Sequence, residues 1–164
     1  MPNWTTNKVF FKTETKKELD EIIRDLAGTD HRGEDQQFTF NKFVPMPESI
    51  ITTIPDPADN YGIAVMSDDE YEWCISAWGT KWDACDVELE RTDETHLILS
   101  FNTAWCAPAP VADAMRKHFG ATLVAWVFHD ECDSLTPSGI EDALQAGFEY
   151  DDLEFAVSEH WRTL

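Results

Sequence analysis

The alternation of apolar and polar positions divides this chain into short elements with clear stops. Lys8-Val9-Phe10-Phe11-Lys12 is β-branched and aromatic between polar flanks, the pattern of a strand. Thr15 then offers an N-cap and Glu18 stands three residues on, a capping box in which each end satisfies the other's orphan donor. Leu19, Ile22, Ile23 and Leu26 follow at helical spacing and Gly28 marks the stop, so a helix is predicted over about 16–27. After a polar turn, Gln37 to Val44 reads as a strand whose alternation places Phe38 and Phe40 on one face. Pro45-Met46-Pro47 ends it, because proline has no N–H for a ladder. Pro47 to Ile51 reads as one helical turn, and Thr52 to Tyr61, with Pro55, Pro57 and Asn60, as a loop.

The second half has firmer punctuation. Asp69 to Ser76 fits either period and is read as a helix. Ala84 to Glu90 and Leu97 to Phe101 are two strands joined by Arg91-Thr92-Asp93-Glu94-Thr95, a hairpin. Val111, Ala114, Met115, His118 and Phe119 recur at helical spacing up to Gly120. Leu123 to Phe128 is nearly all apolar, as expected of a strand covered on both sides. Pro137 opens a third helix with Ile140, Ala143 and Leu144 on one face, and Leu153 to Val157 alternates as a closing strand. This order of elements predicts an α+β fold, a ferredoxin-like split βαβ sandwich with a mostly antiparallel sheet and helices on one face. A single domain over 1–164 is expected, with an acidic C-terminal extension from about residue 130.

Charge changes this picture more than composition does. The 164 residues hold 12 Lys and Arg against 32 Asp and Glu, a formal net charge of −20. Apolar residues at 43% and aromatics at 12% exclude a disordered acidic chain, so the charge belongs to a folded surface. It is regional: residues 1–42 are nearly neutral at −1, and the remainder carries −19. The acids cluster as Asp68, Asp69, Glu70 and Glu72; Asp83, Asp86, Glu88 and Glu90; Asp130, Glu131 and Asp133; Asp151, Asp152 and Glu154. Tyr71, Trp73, Val87, Leu89 and Phe155 interleave with them, which places the carboxylates on elements whose other side is buried. Such a surface disfavours direct docking on nucleic acid or anionic membranes and selects a basic protein partner. The plain alternative is a solubilising surface.

Chemistry is sparse. Cys74, Cys85, Cys106 and Cys132 fit no metal knuckle and read as buried free thiols, which acidic neighbours make less reactive. The five histidines show no HExxH, the serines no GxSxG, and no glycine-rich phosphate loop occurs. Asp130-Glu131-Cys132-Asp133 offers hard oxygen ligands suited to Mg²⁺, yet clustered carboxylates are common on acidic surfaces, so no metal, cofactor or catalytic residue is assigned. No leader and no membrane-length apolar run is found, and a cytoplasmic protein is expected. Trp78, Lys81, Trp82 and Trp105 form the most unusual set. Tryptophans flanking a glycine and a lysine make an amphipathic pocket for a base, a sugar or a peptide aromatic, or else a packing motif with Lys81 along Trp82 and paired to Asp83.

Several segments together resemble the YubB-like ferredoxin-fold domain family of phages and plasmids. They are Pro2-Asn3-Trp4 with Asn7, Phe38-Thr39-Phe40-Asn41-Lys42 followed by Pro45-Met46-Pro47, Trp78-Gly79-Thr80-Lys81-Trp82-Asp83-Ala84, and Phe101-Asn102-Thr103-Ala104-Trp105 with Pro108. Thr5 departs from the pattern, standing where a cysteine is expected. The resemblance implies a fold and a mobile-element origin in a bacterial host, and no activity.

The leading functional expectation is therefore a non-enzymatic acidic binding protein, a mimic of the nucleic-acid backbone that inhibits a host defence or nucleic-acid-binding protein. Its face would comprise Asp68, Asp69, Glu70, Glu72, Glu88, Glu90, Asp130, Glu131, Asp133, Asp151, Asp152 and Glu154, forming a one-sided potential away from the first helix. The alternatives are a small-ligand or peptide-binding module on the Trp/Lys pocket and a metal-dependent hydrolase.

Overall fold

A computed structural model describes residues 3–51, 66–130 and 137–153. The first strand, β1, runs over Trp4–Lys12, longer than predicted. It is followed by helix α1 (Lys16–Leu26), where the Thr15–Glu18 capping box is formed as expected. Two short strands, β2 (Gly28–Thr29) and β3 (Asp35–Gln36), pair across the polar turn, where none was predicted. Next come a one-turn helix α2 (Phe40–Phe43), helix α3 (Asp68–Ala77), strands β4 (Cys85–Arg91) and β5 (His96–Ala104), helix α4 (Ala109–Phe119), strand β6 (Leu123–Asp130) and helix α5 (Pro137–Gln145). The fold is α+β.

β4, β5, β1 and β6 form one four-stranded sheet in that order, and every neighbouring pair is antiparallel. Because side chains alternate along a strand, β1 feeds two cores. Val9 and Phe11 join Leu97, Leu99, Phe101 and Trp126 beneath α1, α3 and α4, with Leu19, Cys74, Trp78 and Met115 as the helical contribution. Phe10 points the other way and joins Ile98, Ala125 and Val127 under Ala143, Phe148 and Leu153. The expectation of helices on one face is thus corrected: α5 covers the opposite side of the sheet from α1, α3 and α4.

The predicted strand over 37–44 is a turn followed by α2. Phe38 and Phe40 are both buried, with ring centroids 5.6 Å apart, so alternation found the right residues and the wrong element. Side-chain caps decide the matter. Thr39 Oγ1 accepts from the Asn41 N–H, Asp83 Oδ1 accepts from the Phe40 N–H at 2.8 Å, and Asn41 Oδ1 accepts from the Met46 N–H at 2.8 Å. Leu153 lies in a single 3₁₀ turn over Asp151–Leu153; the rest of the predicted closing strand, the loop 52–61 and Glu131, Asp133 and Glu154 lie outside the described residues.

Candidate functional site

The four residues of the Trp/Lys set divide. Trp78 caps the C-terminus of α3 and is fully buried in the first core, its Nε1–H donating to the Val44 carbonyl at 2.8 Å. It is a core residue, so its place in a pocket is corrected. Past it the chain turns at Gly79, whose φ of +78° suits glycine and whose missing Cβ lets Pro110 approach. The Thr80 hydroxyl then donates to the Ala104 carbonyl at 2.8 Å, pinning this loop to the end of β5. That one bond brings Lys81 and Trp82 beside Trp105.

Lys81 Nζ lies 5.0 Å from the centre of the Trp82 ring, 5.5 Å from that of Trp105 and 5.9 Å from that of Tyr71. Each distance is within the range at which a ring's negative face attracts a cation. Tyr71, which sequence reasoning did not include, reaches in from α3 and meets Trp105 edge-on at 6.4 Å. Trp4 packs on Trp82 at 6.1 Å, so the opening tryptophan also belongs to the cluster. Trp105 itself is 42% exposed and held at φ +73°, an uncommon conformation for a bulky side chain, by its N–H bond to the Asn3 carbonyl at 2.8 Å.

The expected Lys81–Asp83 pair does not form. Asp83 turns inward, where it accepts from Thr39 Oγ1 at 2.5 Å, Phe40 N at 2.8 Å and Ala84 N at 2.7 Å. Burial pushes its carboxyl above the usual carboxylate range, against the lowering effect of these hydrogen bonds.

The acids do not share one face. Asp68, Asp69 and Glu70 occupy the first turn of α3, where carboxylates favour the helix dipole, and Ser67 caps the same end. Glu70, however, is fully buried, 3.2 Å from both Arg32 Nη2 and His31 Nε2, and it is corrected from a partner-facing residue to a structural one. The His31 distance is short enough for a hydrogen bond, but its direction is not. Beside this pair, burial and the carboxylates of Glu70 and Asp83 push the Cys74 thiol up to about 12, which leaves it inert at neutral pH.

Asp68, Asp69 and Glu72 remain exposed on α3. Glu88 and Glu90 stand on edge strand β4 opposite Ser100 and Ile98, on the side of the sheet that α5 covers. Asp151 and Asp152 lie on that side too, with Lys8 Nζ donating to the Asp152 carbonyl at 2.7 Å. Asp130 is half-buried at the end of β6. The anticipated one-sided map is therefore replaced by two acidic regions, one on each side of the sheet.

Among the described residues, no group of three or more His, Cys, Asp or Glu side chains converges as a metal site, and no helix is long and apolar enough to cross a membrane. A separate cleft of about 110 Å³ lies between the start of α4 and β6, lined by Pro108, Ala112, Arg116, Trp126 and Phe128. Comparison of the chain with protein-family models, with curated proteins and with solved structures gives no match.

Proposed function

We propose that this chain is a non-enzymatic acidic binding protein that engages a basic surface on a nucleic-acid-binding protein, its carboxylates taking the place of phosphates. One observation carries the reading. The described cations are largely consumed within the fold, while six of the exposed acids singled out by the sequence are left without one. Lys16, Lys17, Lys42, Arg32, Arg91 and Arg116 pair with carboxylates, and Lys8 and Lys12 donate to the carbonyls of Asp152 and Ala146. Asp68, Asp69, Glu72, Glu88, Glu90 and Asp151 have no cationic partner within 4.0 Å among the described residues. A surface of this kind attracts a basic groove over many ångströms and speeds association, an effect that salt weakens. The order β4-β5-β1-β6, with β5 between the first strand and β4, supports reading the sheet as a split βαβ arrangement of the ferredoxin-like kind.

The test is capture of partners from bacterial lysate at low and high salt, with the chain and two charge-reversed variants, Asp68→Lys/Asp69→Lys/Glu72→Lys and Glu88→Lys/Glu90→Lys. At least one variant is expected to lose about tenfold or more in affinity for the captured protein, and wild-type binding to weaken with salt. Binding that survives both reversals and ignores salt overturns the reading.

A further inference from the structure

We propose that Tyr71, Trp82 and Trp105 form a cation cage for an arginine side chain of the basic partner, and that Lys81 is the cage's internal, displaceable plug. The inference rests on the basic-partner reading and specifies where on the molecule recognition occurs.

The occupant already present identifies the ligand class. An ammonium sits among three ring faces at 5.0, 5.5 and 5.9 Å, and no carboxylate lies within ion-pair distance of it among the described residues. In a chain of net charge −20, a lysine held by rings instead of acids marks a place built to attract positive charge through π density. The cage does not depend on Lys81 for its shape. Tyr71 is placed by α3, Trp82 by its packing on Trp4, and Trp105 by the backbone bond to Asn3 that holds its φ at +73°. Removing the plug leaves three positioned rings.

The open side of the cage is matched to a basic segment. Trp105 is 42% exposed and Ile75, one turn after Tyr71 on α3, is 38% exposed. Asp68 stands one turn before Tyr71 on the same helix, exposed and without a cation among the described residues. A guanidinium fits this combination better than an ammonium, because it is planar, stacks on an indole face and still presents its edge to a carboxylate. On arrival it exchanges with Lys81, whose ammonium moves into water and loses little, being strongly hydrated there.

The experiment uses the full chain and a nona-arginine peptide. Affinity is read by calorimetry, and the indole N–H resonances of Trp82 and Trp105 by NMR. Both resonances are expected to shift on binding. Lys81→Gln is expected to bind about two- to fivefold tighter than Lys117→Gln, a control that removes the same charge from the exposed end of α4, and Trp105→Ala to bind more weakly than wild type. If the peptide binds without moving the indole signals, or Lys81→Gln binds no tighter than Lys117→Gln, the cage proposal is overturned while salt-dependent binding leaves the acidic reading standing. If wild type fails to bind the peptide even at low salt, both are overturned.

Discussion

Asp83 joins two separate stretches of chain through a single carboxylate, since it receives the Thr39 hydroxyl and the Phe40 and Ala84 N–H groups. Truncation to alanine leaves two backbone donors unpaired in a mostly enclosed site, and Asp83→Ala is expected to lose about 1–3 kcal/mol of unfolding free energy. Asp83→Asn keeps an acceptor for both N–H groups and is expected to retain most of the stability near neutral pH. The two variants also separate the pH response. Burial raises the folded-state pKa of Asp83 above its unfolded value, so its contribution is greatest below the unfolded value of about 3.9 and declines as pH rises through the folded one. Urea denaturation at about pH 4 and about pH 7 is expected to show wild type losing ground to Asp83→Asn at the higher pH.

At the scale of elements, legibility followed the range of the interactions involved. α1 was readable because its cap, stripe and stop, from Thr15 to Gly28, all lie within fourteen consecutive residues. The segment 37–44 was not, because the carboxylate that starts α2 comes from Asp83, 43 positions away in sequence. For the same reason Glu70 read as one more surface acid: nothing near it in the chain announces Arg32 and His31. In the aromatic cluster, Lys81, Trp82 and Trp105 were found by type and Trp78 was misplaced, since it caps α3 and its indole N–H is held by the Val44 carbonyl, 34 positions away in sequence. Leu123 to Phe128 announced a strand covered on both sides, but what supplies the second cover was not legible, because α5 reads as a generic amphipathic helix with no sign of which side of the sheet it takes. Its seating depends on Gly139, where an added Cβ would lie 2.5 Å from the Trp126 carbonyl oxygen. Gly139→Ala is expected to lift α5 off β6 and cost about 1–3 kcal/mol, with faster hydrogen exchange confined to α5 and β6.

Over the whole molecule, the two acidic regions repel each other across the sheet as well as repelling their own members. Salt screens this repulsion, with a Debye length of about 10 Å at 0.1 M. The melting temperature is therefore expected to rise with sodium chloride over the range in which partner binding falls, opposite trends from one cause. A melting temperature that is flat or falls with salt would show that the described ion pairs outweigh the net charge. The sheet topology has a further consequence, in time instead of space. β1 sits between β5 and β6, and its residues pair with partners 84 to 125 positions further along, from Lys12 with His96 to Thr5 with Asp130. A ribosome adding about 5–20 residues per second leaves Val9-Phe10-Phe11 without its strand partners for on the order of ten seconds. During that wait Lys8 and Lys12, which later donate to the carbonyls of Asp152 and Ala146, flank the exposed apolar run with positive charge and hinder its pairing with a neighbouring nascent chain.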